Sequence, residues 1–341
     1  MQSLLALLTC LVPASLHAAP AVVDTTTWVT NGVVRALATV GDVTYLGGSF
    51  TSVGVASGNC AVIRTDTGRP ISPFPRVEGT VCAALADGAG GWYIGGDFLA
   101  VGSVARRHVA HILADGTIGA WAPRVGTNNG GVVYALARVG NSVVIGGTFG
   151  SVNDSVRTRI AAVDATTGEL LPFSPTLNNE VRALAVSGST VYVGGVFNAN
   201  NSTSRPYLAA YELGSNSPLP FAPRAGQVVR ALLLHEGTLY AGGDFGVMGD
   251  STRSRVAALD PFTGAVHGWN PNVNGRVSAL AATGSNIVIG GTFTQVRGKP
   301  RQNIALWDGL ADSLSAWNPG ANASVTSLDA TPSSVRAVGQ F

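Results

Sequence analysis

Val181-Arg182-Ala183-Leu184-Ala185, a short turn, and then Val191-Tyr192-Val193-Gly194-Gly195-Val196-Phe197 is the stretch on which the reading of this chain turns. Both pieces are short, rich in β-branched and aromatic residues, and bounded by Gly, Ser or Asn, which is how strands are punctuated. The unit continues with Leu208-Ala209-Ala210-Tyr211 and Phe221-Ala222-Pro223, giving four strand-sized pieces. Outward from this copy, Gly-Gly-x-Phe recurs at Phe50, Phe98, Phe149, Phe197, Phe245 and Phe293, and a degenerate Val-Gly-Gln-Phe ends at Phe341. The intervals are 48, 51, 48, 48, 48 and 48 residues. A fixed period near this length marks a propeller or solenoid, each repeat being one supersecondary module. No window sustains a helical period over three turns. The expected fold is all-β, a seven-bladed β-propeller of four-stranded antiparallel blades.

The repeated residues have physical roles. A glycine pair ending the second strand lets neighbouring backbone approach or permits a bulge, and the Phe after it is expected to fill the space between adjacent blades. Asp164-Ala165-Thr166-Thr167-Gly168 and Asp260-Pro261-Phe262-Thr263-Gly264 place Asp at a turn entrance and Gly at its exit. Trp121-Ala122-Pro123, Trp269-Asn270-Pro271 and Trp317-Asn318-Pro319 put a proline where an outer strand stops. Ala21-Val22-Val23-Asp24-Thr25-Thr26-Thr27-Trp28 matches the third and fourth strands of a unit, while the sequence up to Phe341 supplies only the first two strands of a seventh. The last blade is therefore expected to be closed by N- and C-terminal strands, which removes exposed sheet edges.

Charged residues are 12% of the chain, the net charge is +2, and 44 glycines accompany 46% hydrophobic content. This suits short buried strands and tight turns, and it provides no basic footprint for nucleic acid. Residues 1–19, with the apolar run Leu4 to Val12 and the small-residue ending Ala18-Ala19, read as a secretory signal peptide, with a disordered apolar tail as the alternative. Residues 20–341 form the propeller. An extracytoplasmic location follows, whether secreted, periplasmic or at the cell surface, with no integral membrane span and a monomeric state. Cys60 and Cys82 align, counting along the repeat, with aliphatic positions of other units, Cys82 with Val34, Val181 and Val229. They read as buried small hydrophobes, with a disulfide as the alternative.

With Gly-Gly-Asp-Phe, Asp-x-x-Thr-Gly and Trp-x-Pro in register, the chain from 21 to 341 resembles the delta-60 repeat family of secreted bacterial β-propellers, and more distantly the Gly-Gly-x-Phe propeller of a fungal cell-polarity surface protein. The resemblance implies an extracytoplasmic propeller. It carries over no catalytic residues.

A repeat separates scaffold from site, because residues present in every unit are structural and function sits in the exceptions. Arg106, Arg157, Arg205, Arg253 and Arg301 recur three residues before the third strand and read as structural. His108 and His111, three apart on a strand, point to opposite faces and do not converge on a metal. No nucleophile elbow, zinc-protease helix, phosphate loop or calcium-loop spacing is present, and no cofactor is expected. Asp97 and Asp244 lie in units too far apart for paired glycosidase chemistry. The second position of the first strand varies while its neighbours do not, reading Arg35, Ala83, Tyr134, Arg182, Arg230, Ser278 and Thr326. Aimed at a central channel, Arg35, Tyr134, Arg182 and Arg230 would make an anion-friendly ligand-binding mouth; on a blade edge they would be solvated. Loop irregularities at 127–131 and 198–204 add binding surface, and Asn200-Asn201-Ser202 and Asn322-Ala323-Ser324 are glycosylation sequons. The expected function is that of a non-enzymatic scaffold for an unknown protein or carbohydrate partner. The alternative is a polysaccharide-active hydrolase or lyase with its site at the channel mouth.

Overall fold

The computed structural model describes residues 8–11, 30–41, 43–51, 53, 60–64, 74–127, 130–200, 203–332 and 334–340, with backbone alone at 8–11, 60–64, 199–200 and 203. No helix occurs among them. The strands form seven antiparallel sheets of three or four strands and four two-stranded hairpins. In chain order the first sheet is Val33–Val40, Val43–Ser49 and Cys60–Arg64, and the second is built on Val77–Ala86, Trp92–Val101 and Val109–Ile112. The third comprises Val133–Val139, Ser142–Gly147 and Ile160–Asp164; the fourth, Val181–Ser187, Thr190–Gly195 and Leu208–Glu212; the fifth, Val229–His235, Thr238–Gly243 and Val256–Leu259. The sixth holds Arg276–Thr283, Asn286–Thr292, Ile304–Asp308 and Ser313–Leu314, and the seventh Val325–Thr331 and Ser334–Gly339. The first strand of each sheet lies beside the first strand of the next, and that of the seventh lies beside Val33–Val40. Thr326 Oγ1 donates to the Val34 carbonyl at 2.7 Å, and Thr39 Oγ1 to Asp329 Oδ2 at 2.7 Å, across this last junction.

Both glycines of each pair are explained by what a side chain would strike. A Cβ on the first would run into the first-strand valine of the following sheet, as at Gly194 with Val229 and Gly242 with Val277. A Cβ on the second would enter the backbone carbonyl of its own first strand, as at Gly243 with Val228. The register accordingly slips beside this point in all seven sheets, between Val181 and Ala183 or Val229 and Ala231, for example. The Phe that follows is buried in each described copy and packs against the preceding sheet: Phe149 joins Tyr93 and Val109, and Phe245 joins Tyr192 and Leu208. Each such ring removed from water contributes about 2–3 kcal/mol. The turn aspartates act as expected, Asp164 Oδ1 accepting the Thr166 and Thr167 amides at 2.8 Å.

The structure departs from the sequence reading in two places. Among the described residues the fourth strand is a ladder only in the sixth sheet; in the second to fifth it shrinks to one bridge, such as Val163 with Leu170 or Leu259 with Val266. At the other end, the strand pairing with Ser334–Gly339 is Leu8–Leu11, part of the apolar run read as an export signal, with Leu11 opposite Ser334. An open sheet edge accepts any apolar extended segment that reaches it. The expected Ala21–Trp28 segment lies outside the described residues.

Candidate functional site

The bulges decide where the variable residues go. A bulge leaves one residue of the first strand unpaired and re-aims its side chain, and here that residue turns into a central cavity of about 250 Å³ to which all seven first strands contribute. The unpaired residues are Arg35, Cys82, Tyr134, Arg182, Arg230, Ser278 and Thr326. Alanines occupy most positions beneath them, and leucines come next. The four residues expected at the mouth, Arg35, Tyr134, Arg182 and Arg230, are thus brought together.

The second sheet corrects the alignment. Ala83 pairs with Gly95 as Ala36 does with Gly47, so the position of Arg35 falls to Cys82 and not to Ala83. Counting along the repeat misses this because the hairpin at Asp87–Gly91 is longer than its counterparts. Cys82 is a free thiol at the mouth, not a buried core residue equivalent to Val34. Burial pushes it up to about 11 even with the Arg35 and Arg182 guanidiniums nearby, so it stays protonated at neutral pH and is a poor nucleophile or metal ligand.

The arginines differ in what holds them. Arg182 lies over the Tyr134 ring, 4.0 Å from its centroid, and is ion-paired with Glu180. Burial raises the Tyr134 hydroxyl above its ordinary value, with Arg182 opposing the shift. Arg230 pairs with Asp244 at 2.7 Å, and Arg276 reaches the other oxygen of the same carboxylate at 2.7 Å. Burial would push the Asp244 carboxyl up, but the hydrogen bonds from Arg230 and Arg276 outweigh it and hold it below the usual carboxylate range. A carboxylate so held cannot serve as a general acid near neutral pH. Arg35 is different: its Nε donates to Ser49 Oγ at 3.3 Å, and among the described residues no carboxylate pairs with it.

Glu180 and Arg276 are site residues that sequence reading missed, and Asp244, weighed there only as a glycosidase carboxylate, joins them as a counter-charge. The usable signal is register: Asp244 is the x of its Gly-Gly-x-Phe, and Glu180 and Arg276 each precede a bulge by two residues, so all three sit on the strand ends that face the mouth.

The remaining candidates fall elsewhere. His108 is buried, with Nε2 3.3 Å from the Thr127 carbonyl and Nδ1 3.8 Å from Asp97. His111 stacks on Tyr93 and bonds Asp87 at 2.9 Å, so the two histidines do not converge. His108, Arg159, Tyr207, Arg255 and Asn303 share a left-handed backbone just before the third strand. At each, the amide donates to the repeat Phe carbonyl and the carbonyl accepts from the second glycine. Arg106, Arg253 and Arg301 hold loop carbonyls on both sides, including Gly119, His267 and Ser315. Arg157 and Arg205 hold the carbonyl before them.

No family model matches this chain, and no curated protein matches it. Solved structures do. It is similar to the WD40 β-propeller domain of Doa1, at 13% identity over 92% of this chain and 94% of that one, with a TM-score of 0.61. It is also similar to the computationally designed Ika8 protein, at 17% identity over 90% of this chain and 96% of that one, with a TM-score of 0.54. At such identities the likeness is one of fold, and the fold of this all-β chain is that of a β-propeller.

Proposed function

We propose that this protein is an exported, seven-bladed propeller that works as a non-enzymatic binding scaffold, offering its channel mouth to a protein or glycan. The observation that carries the reading is the ring of bulged residues. Seven first strands, nearly uniform in Val, Ala and Leu on either side, each contribute their one variable residue to the same mouth. Scaffold demands explain uniformity, and a bound partner explains variation concentrated at one place. The likeness in sequence to secreted delta-60 repeat propellers, and the apolar leader ending Ala18-Ala19, support export.

The same reading has the last blade completed from both ends of the chain. Removal of the leader frees the edge of Ser334–Gly339, and Ala21-Val22-Val23-Asp24 carries the third-strand pattern of Ala161-Ala162-Val163-Asp164. Protein beginning at residue 20 should then melt clearly above protein beginning at residue 30, and equal melting would overturn the closure. For the function, the chain from residue 20 is screened on glycan arrays and against extracellular proteins. Binding that disappears when Arg35, Arg182 and Arg230 are together replaced by Ala supports the scaffold. Polysaccharide turnover without binding refutes it.

A further inference from the structure

We infer that one sector of the mouth, centred on Arg35, is an anion site that takes a single carboxylate from an acidic peptide segment of a partner. The inference rests on the mouth being the binding surface and adds what it binds. Arg182 is matched by Glu180, and Arg230 and Arg276 share Asp244. These charges are spent inside the protein and hold the rim rigid. Among the described residues Arg35 alone of the mouth arginines has no carboxylate; its Nε donates to Ser49 Oγ, which is itself engaged with Thr80 Oγ1 at 3.0 Å. A guanidinium has five donors in a fixed fork. At the rim of a narrow cavity those left over are positioned for a carboxylate, which they grip in bidentate fashion.

The neighbouring residues narrow the ligand. Asp97, beside Cys82 in the next sheet, leaves 65% of its side chain exposed and repels a run of acidic groups, so an isolated carboxylate fits and a polyanion does not. The one aromatic ring of the mouth, Tyr134, has a face covered by Arg182. With that face taken, a sugar has at most the opposite one to lie on, which favours a peptide over a uronate glycan.

The test is fluorescence anisotropy on the chain from residue 20, with labelled, end-capped Gly-Ser peptides carrying one Glu, one Gln in its place, or a run of Glu, and with a labelled glucuronic-acid oligosaccharide. The single-Glu peptide is expected to bind, and to bind about tenfold more weakly after Arg35→Gln, the loss of one charge-assisted hydrogen-bonded contact. Its affinity should fall with added salt. Equal binding of the Glu and Gln peptides, or no change in R35Q, overturns the inference, and tighter binding of the oligosaccharide overturns the choice of peptide. Ser278→Tyr, which narrows the mouth from the sixth sheet, separates the two levels of the reading. If S278Y abolishes peptide binding while R35Q does not, the mouth stands and the anion site falls. If neither variant changes binding, both fall. Arg35 is exposed, so R35Q is expected to keep its melting temperature; a second variant, Arg35→Lys, retains the charge without the fork and should fall between R35Q and the parent.

Discussion

Six junctions between consecutive sheets set a glycine against a valine, and the seventh sets a valine there instead. Gly47, Gly95, Gly146, Gly194, Gly242 and Gly290 each face the first-strand valine of the next sheet, from Val81 round to Val325. Where the seventh sheet meets the first, the glycine's place is taken by Val338, buried in one cluster with Val34, Leu37, Leu46, Phe50 and Val53. The contrast teaches that the glycine is not required by the strand but by the distance to the next sheet. Along the continuous run of repeats the sheets are close enough to exclude a side chain, and at the junction of the chain's two ends a side chain supplies the contact.

The sharpest way to break this comparison is to put carbon on the glycine pair, whose first member faces the next sheet and whose second faces its own. Gly243→Ala drives a Cβ into the Val228 backbone carbonyl, which cannot rotate away, and Gly242→Val brings a branched side chain to Val277, where a Cβ alone already stands 2.6 Å from Cγ1. Both should cost at or above the ~3 kcal/mol upper end of overpacking penalties, with G243A the worse because backbone yields least. Denaturant unfolding measures it, and a G243A variant as stable as the parent would mean that the slip in register is not enforced by contact.

The converse change is expected to be smaller. Val338→Gly gives the seventh junction the sequence of the other six, and were the spacing uniform it would be neutral. Because this junction is filled by the valine, the change leaves a void and adds a flexible residue, for a loss of about 2 kcal/mol. A V338G variant that unfolds at the parent's denaturant midpoint would show all seven junctions to be equivalent.

The same contrast explains how much could be read from sequence. The sheets were legible because the glycine pair answers to two steric contacts, one with the next sheet and one within its own, repeated in six of the seven sheets, so the motif cannot drift there without a clash. The bulge was legible as an expectation, and it is what turns Arg35, Tyr134, Arg182 and Arg230 inward. Cys82 was misplaced because alignment counts residues, whereas position in the mouth is set by pairing, and the longer Asp87–Gly91 hairpin separates the two by one. Of the counter-charges, Glu180 stands only two residues before Arg182, whereas Asp244 reaches Arg230 across a strand pair and Arg276 between sheets, a relation that no spacing along the chain records.

The smallest effect lies at the mouth, where charge rather than contact does the holding. Asp244 has its carboxyl depressed by Arg230 and Arg276, so its folded pKa lies below its unfolded value. By linkage, the stability it contributes is fully present above the unfolded value, about 3.9, and is lost as pH falls from there through the folded value. Asp244→Asn removes the charge at every pH. The variant should therefore melt a few degrees below the parent at pH 7, and the gap should close on acidification below about pH 4 as the parent's own carboxylate is neutralised. Added salt should also narrow the gap at pH 7, since the three side chains are partly open to solvent. A gap that persists unchanged at pH 3 would mean that Asp244 holds the arginines by shape and hydrogen bonding alone, and the rim would then keep its order in acid, where a charge-held rim would loosen.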